Sequence, residues 1–260
     1  MRKLLRAIVA VSAAVGALAA VGVAYANHSW NNYHWARTAN PFRLQVIDSV
    51  TPFWQTEFNT ALGEWGQSNV LDLATTSSDD STRTRRQCRA VAGKMRVCND
   101  SYGQNGWLGL ATIGLDSQGH IDRGTAKMND SYSAYWTDLN EKRHVMCQEV
   151  GHVFGLGHTS EDGSTQNTCM DYSRSPTSIS PNQHDYDELA LIYSHVDAYN
   201  SYVASGAAAA AQPNLADLPA GVPLGSILVH TDRFEDVYVK SRSDGGYWVF
   251  HVRLAPEHAH

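Results

Sequence analysis

Cys147-Gln148-Glu149-Val150-Gly151-His152-Val153-Phe154-Gly155-Leu156-Gly157-His158 is the stretch on which the reading of this chain turns. On a helix, positions 148 and 152 lie one turn apart on one face, and position 149 borders that face. Gly155 and Gly157 free the backbone to leave the helix through conformations that other residues resist. The chain can then bring His158 back beside His152. Two imidazoles and the Gln148 amide oxygen can meet one metal ion there, with the Glu149 carboxylate next to it. Zinc held by three neutral ligands keeps a position open for water, lowers that water's pKa and polarises a substrate carbonyl. Glu149 is placed to take the water's proton and hand it to a leaving amine. His144 does not substitute for Gln148, because it lies two turns, about 12 Å, before His152. Cys147 points about 100° away from Gln148 around the helix.

Outward from this stretch, hydrophobic periodicity predicts a helix from about Asp138 to Phe154 and an irregular segment over 158–175. A last helix is expected to start at Ser180-Pro181, with Ser180 as N-cap, and to run to about Tyr193. Upstream, Phe42 to Asp48 alternates apolar and polar residues and reads as a strand. Thr51-Pro52 reads as the start of a helix with Thr51 as N-cap, and Trp54, Phe58, Leu62 and Trp65 form its apolar stripe. Val70 to Ala74, Trp107 to Leu115 and Gly124 to Met128 read as strands. Thr75 to Gln87 is rich in Ser, Thr, Asp and Arg and reads as an exposed loop. This order of elements predicts an α+β fold with a mixed, mostly parallel twisted sheet.

Length and composition set the outer bounds. The chain has 260 residues, 43% hydrophobic and 18% charged, enough for one substantial folded domain and a small appendage. Net charge is −6, and no basic run follows residue 26, so nucleic-acid binding is not expected. Arg2, Lys3 and Arg6, the apolar run Ala7 to Val23, and Ala24-Tyr25-Ala26 form a secretory signal pattern. The expected organisation is a signal peptide at 1–26, a main domain at 27–204, an Ala-rich linker at 205–213 and an extension at 214–260. The extension carries a hairpin around Ser243-Asp244-Gly245-Gly246, too small for an independent core and expected to pack on the main domain. The mature protein is expected to be secreted, extracellular and monomeric, with no stable membrane association once the signal is cleaved.

Four cysteines in an exported chain allow three pairings. Cys88 and Cys98 flank a short hairpin-like stretch with Gly93 in its middle. Cys147 lies on the expected metal-binding helix, and Cys169 immediately precedes Met170. Pairing 88–98 with 147–169 is favoured over the others; a buried free thiol at Cys147 is the alternative. The remaining histidines carry no ligand spacing. His120, His184, His195 and His230 are scattered, and His251, His258 and His260 read as a solvated tail. Asp79-Asp80 and Glu161-Asp162 do not form a dense oxygen-ligand loop for calcium.

Residues 148–158 resemble the extended zinc motif of the metzincins, metallopeptidases whose pattern is H-E-x-x-H-x-x-G-x-x-H followed by a methionine turn. Glu149, His152, Gly155 and His158 match it, and Cys169-Met170-Asp171-Tyr172 looks like the Met-turn. The resemblance spans residues 42 to 195, with its strong signal in 148–172. It implies a zincin-like catalytic domain holding zinc, with His152, His158 and Gln148 as ligands, Glu149 as general base and Tyr172 as a second catalytic group. It also implies a peptide or protein substrate bound along an edge strand, for which Gly124 to Met128 is the candidate, and a 147–169 disulfide tying the active-site helix to the Met-turn. The departure from the pattern is Gln148, where the family has histidine. It leaves three readings: a weak amide ligand in a working endopeptidase, a site using another group as ligand, or an inactive metzincin-like protein that binds extracellular peptides or proteins without cutting them.

Overall fold

The computed structural model describes residues 28–202 and 222–258; the expected signal peptide and linker lie outside the described residues. Eight strands form one sheet: β1 (Phe42–Ser49), β2 (Leu71–Ser78), β3 (Lys94–Asp100), β4 (Trp107–Leu115), β5 (Ile121–Asn129), β6 (Ile227–Thr231), β7 (Glu235–Ser241) and β8 (Tyr247–Leu254). Their order is β2-β1-β3-β5-β4-β8-β7-β6. The helices are α1 (Gln55–Trp65), α2 (Thr82–Gln87), α3 (Leu139–His152) and α4 (Gln183–Ile192). The fold is α+β with a mixed sheet, as expected. The sheet is not mostly parallel: β1–β2, β1–β3 and β3–β5 are parallel, while the pairings β5–β4–β8–β7–β6 are all antiparallel. The C-terminal strands shift the balance by extending the sheet beyond β4.

β4 explains why the sheet grows in that direction. All nine of its residues are buried, so both faces and both edges must be covered. One face packs under α1 and α3 with Leu108, Ile113 and Leu115. The other carries Leu110 in a smaller cluster with Tyr102, Trp107, Trp248, Phe250 and Val252. β8 supplies the missing edge, in a register that sets Ala111 opposite His251 and Gly109 opposite Arg253. Because β8 gives Trp248, Phe250 and Val252 to the outer cluster, the alternating residues Val249, His251 and Arg253 face α3. The extension therefore belongs to the main sheet. β5, expected to present the open edge, is an interior strand between β3 and β4.

Three local expectations are corrected. Thr51 does not cap α1: its backbone N–H donates to Asn99 Oδ1 (2.7 Å) and its hydroxyl accepts from Asn99 Nδ2 (3.1 Å), so the helix starts a turn later. Ser180 does not cap α4: its hydroxyl donates to Glu64 Oε1 (2.8 Å), and Asn182 forms the capping box with Asp185. The polar stretch 75–87 holds the end of β2 and the short helix α2, N-capped by Ser81. Both favoured disulfides are present, with Cα–Cα separations of 6.0 Å for Cys88–Cys98 and 5.9 Å for Cys147–Cys169. Cys88 ends α2 and Cys98 lies in β3, so the first pair staples a helix to a strand and does not close a hairpin. Disulfides fit an oxidising compartment. Among the described residues no helix is long and apolar enough to cross a membrane.

Lys127 on β5 is buried, and burial pulls its ammonium down to about 8 from an ordinary 10.5. Between those values the unfolded chain holds a proton that the folded chain has released, so stability rises with pH across this window. The expected gain is on the order of 3 kcal/mol. Denaturant midpoints measured from pH 7.5 to 10.5 should climb less in Lys127→Met than in the parent chain; equal slopes contradict the assignment.

Candidate metal centre

α3 is capped at its start by Asp138, whose side chain accepts from Asn140 N at 2.9 Å, and it ends at His152. Gly155 follows at φ +95°, and a Cβ there would run into the carbonyl of Tyr33. Only glycine fits both conditions. The N-terminal segment locks the turn: Trp30 N donates to Gly155 O (2.8 Å) and Gly157 N donates to His28 O (2.5 Å). The chain thus returns His158 to His152, with ring centroids 4.6 Å apart. Gly151 leaves room on the helix for the Met170 sulfur and the Trp65 ring, so the 169–172 turn passes directly beneath α3.

The third imidazole comes from β8. His251 stacks on His152 with centroids 4.2 Å apart. Ligand-capable atoms of His152, His158, His251 and Glu235 all lie within 4.8 Å of one another. Each ring is held by its Nδ1: His152 to Leu156 O (2.8 Å), His158 to the Tyr172 hydroxyl (3.1 Å), and His251 to Glu235 Oε2 (2.6 Å). The partners on His152 and His251 are acceptors, which puts the proton on Nδ1 and leaves Nε2 as the lone-pair nitrogen. Nε2 of His158 and Nε2 of His251 are buried with no hydrogen-bond partner. A backbone carbonyl or a carboxylate behind a histidine is the support that metal ligands use. Burial holds all three imidazoles well below the ordinary histidine range, which keeps them neutral as ligation requires.

Gln148 is not in this group. It is fully buried; its Nε2 donates to Asp171 O (2.9 Å), and its Oε1 accepts from the Arg253 guanidinium. Arg253 also reaches Glu141 Oε1 at 3.3 Å. His144, whose Nε2 lies 2.8 Å from Asp171 O, belongs to the same buried network. Arg253, next but one to His251 on β8, thus engages Gln148, the position that the sequence assigned to the first ligand. Such a network is costly to break, because each member would be left unpaired in a dry interior.

Glu149 is fully buried; no side chain hydrogen-bonds its carboxylate, and the Ala111 backbone is the polar group that reaches it. Burial raises its pKa well above the ordinary carboxylate range, with Arg253 opposing the shift and Glu235 adding to it. It fits only because position 109 on β4 is glycine: a Cβ there would overlap the carboxylate. Tyr172 is buried against His158, with ring centroids 4.2 Å apart, and its hydroxyl meets His158 Nδ1. A cavity of about 420 Å³ lined by His28, Trp30, His158, His230, Glu235 and His251 opens onto this corner.

The structure therefore brings His152, His158 and Tyr172 together, puts Met170 beneath α3 and the Glu149 carboxylate against Gly109, and sets Gln148 aside. Sequence reasoning missed Glu235, His251 and Arg253. His251 is 3% exposed and is not part of a solvated tail. The available signal was its place inside Trp248-Val249-Phe250-His251-Val252, where a strand carries a lone imidazole among apolar residues. No family model matches this chain, and no curated protein matches it.

Proposed function

We propose that the mature chain is a secreted, metzincin-like zinc endopeptidase whose metal is held by His152, His158 and His251. The observation that carries this reading is the convergence of three buried, neutral imidazoles, two of them with an orphaned Nε2. Three histidines with an open fourth position are a donor set that suits catalytic zinc. The chemistry that zinc supplies at such a site is polarisation of a peptide carbonyl and acidification of the attacking water. Glu149 takes the water's proton and passes it to the leaving amine. Glu235 holds the His251 ring through Nδ1. Tyr172 orients His158 through its hydroxyl and is the group assigned to hydrogen-bond the substrate. Gln148 and Arg253 brace the helix against β8. The cavity beside His158 and His251 is the route by which a peptide chain reaches these groups.

A second reading is a non-catalytic protein that binds extracellular peptides or proteins on the same fold. One observation counts against cleavage: β8 already covers the edge of β4, so no substrate strand can pair there, and a binding protein would take its partner elsewhere on the surface. Casein hydrolysis by the purified secreted chain separates the two. The endopeptidase reading expects cleavage that a chelator stops and added zinc restores, with one equivalent of zinc lost on His152→Ala. Zinc retention without cleavage of casein or a peptide library would favour the binding protein.

A further inference from the structure

We propose a second zinc site, built from His34, His195 and Asp197, at the point where three separate segments of the chain meet. Its donors come from the N-terminal segment and the stretch after α4, and His120 of the β4–β5 turn lies against the same carboxylate. His34 Nε2 lies 3.2 Å from His195 Nε2 and 3.5 Å from Asp197 Oδ1. His195 Nε2 is 3.5 Å from the same oxygen, and His120 Nε2 is 3.4 Å from it. A tetrahedral zinc with bonds of about 2.0–2.1 Å holds its donor atoms about 3.3–3.4 Å apart. The His34, His195 and Asp197 donors already stand at that spacing.

The outer atoms of these residues are already committed. His34 Nδ1 lies 2.7 Å from the Asn32 carbonyl, which only accepts, so Nδ1 carries the proton and Nε2 of the neutral ring is bare. His120 Nδ1 lies 2.8 Å from the Tyr199 hydroxyl, whose own proton goes to Asp116 Oδ2, so this Nδ1 is also the donor. Asp197 Oδ2 accepts from Arg37 N (2.9 Å) and Arg37 Nη1 (2.8 Å), leaving Oδ1 to the histidines. The bare Nε2 atoms of His34 and His120 thus both face Asp197 Oδ1, two lone pairs turned to one carboxylate oxygen, which a cation among them relieves. His34 and Asp197 are mostly buried, while the His195 side chain is 54% exposed and gives an ion its way in.

The role that follows is structural, since no unpaired acid comparable to Glu149 stands by. Ile121 N donates to His34 O (2.8 Å) and Ser201 N to Ala36 O (2.9 Å), so the same three segments are already laced together. An ion would close that lacing at the point where His28 and Trp30, a few residues upstream, support the first site.

Zinc content of the dialysed, full-length secreted chain, measured by plasma mass spectrometry, tests this. His195→Ala and Asp197→Asn are each expected to hold one zinc fewer than the parent, and His152→Ala to lose a different one, so that His152→Ala/His195→Ala loses two. Chelator should lower the melting temperature of the parent more than that of His195→Ala. If Asp197→Asn fails to fold, His195→Ala carries the test, because its ring is half in solvent. A folded His195→Ala chain with the parent's zinc content overturns the second site and leaves the first untouched. Loss confined to His195→Ala, with His152→Ala unchanged, supports the second site and overturns the first.

Discussion

Replacing His251 by alanine is expected to empty the principal site of zinc and to lower casein hydrolysis by roughly 10³-fold. Partners one shell out from a metal are each worth about 10–100-fold in affinity or activity, and a direct ligand is worth more. His251 is buried, stacks on His152 and holds its Nδ1 against Glu235 at 2.6 Å. Its removal also leaves the Glu235 carboxylate in the interior without that partner, at a cost of about 1–3 kcal/mol. Melting in the absence of zinc separates that loss from the metal effect. Gln148→His is the companion experiment. Gln148 is occupied by Asp171 O and Arg253, so an imidazole there should bring no gain in zinc affinity. A large gain in both affinity and turnover would show that position 148 is the vacant ligand after all and that His251 is incidental.

Glu149→Gln is expected to cut turnover by about 10²–10⁴-fold, the usual worth of a positioned general base, with zinc stoichiometry unchanged. The amide is nearly isosteric and donates where the carboxylate could only accept. No side-chain partner would be lost, and the amide oxygen can keep the contact with the Ala111 backbone. The variant should therefore fold as well as the parent or better, since an uncompensated buried carboxylate is itself costly. Loss of activity with retained zinc and retained stability is the signature of a catalytic group. Unchanged turnover would remove Glu149 from the chemistry, and parallel loss of zinc would make it a ligand.

The legible parts of this chain were those whose signals are local. The 148–158 stretch showed that His158 returns to His152, because helix periodicity and a glycine break fix their relation within a few residues. β1, β4 and the β7–β8 hairpin were visible through alternation or continuous burial. α2 and the end of β2 were not, because a polar exposed element carries no apolar stripe; Ser81 was the only local cue. Both misplaced caps have one cause: Thr51 and Ser180 are good capping residues whose side chains are taken by Asn99 and Glu64 from distant parts of the chain. The third imidazole was illegible for the same reason on a larger scale. His251 reaches His152 only because β8 pairs with β4 in one register, and a slip of a single residue would turn it to the other face. Arg253 follows by the same alternation, and with it the reason Gln148 can be something other than histidine.

The central claim is that His152, His158 and His251 share one metal ion while Gln148 does not touch it. Anomalous diffraction at the zinc edge from crystals of the zinc-loaded mature chain tests it in one measurement. The account predicts a peak bonded at about 2.0–2.1 Å to Nε2 of all three histidines, with the Gln148 amide still on Arg253 and the Asp171 carbonyl. A peak bonded to Gln148 Oε1, or no peak between the three rings, would contradict it.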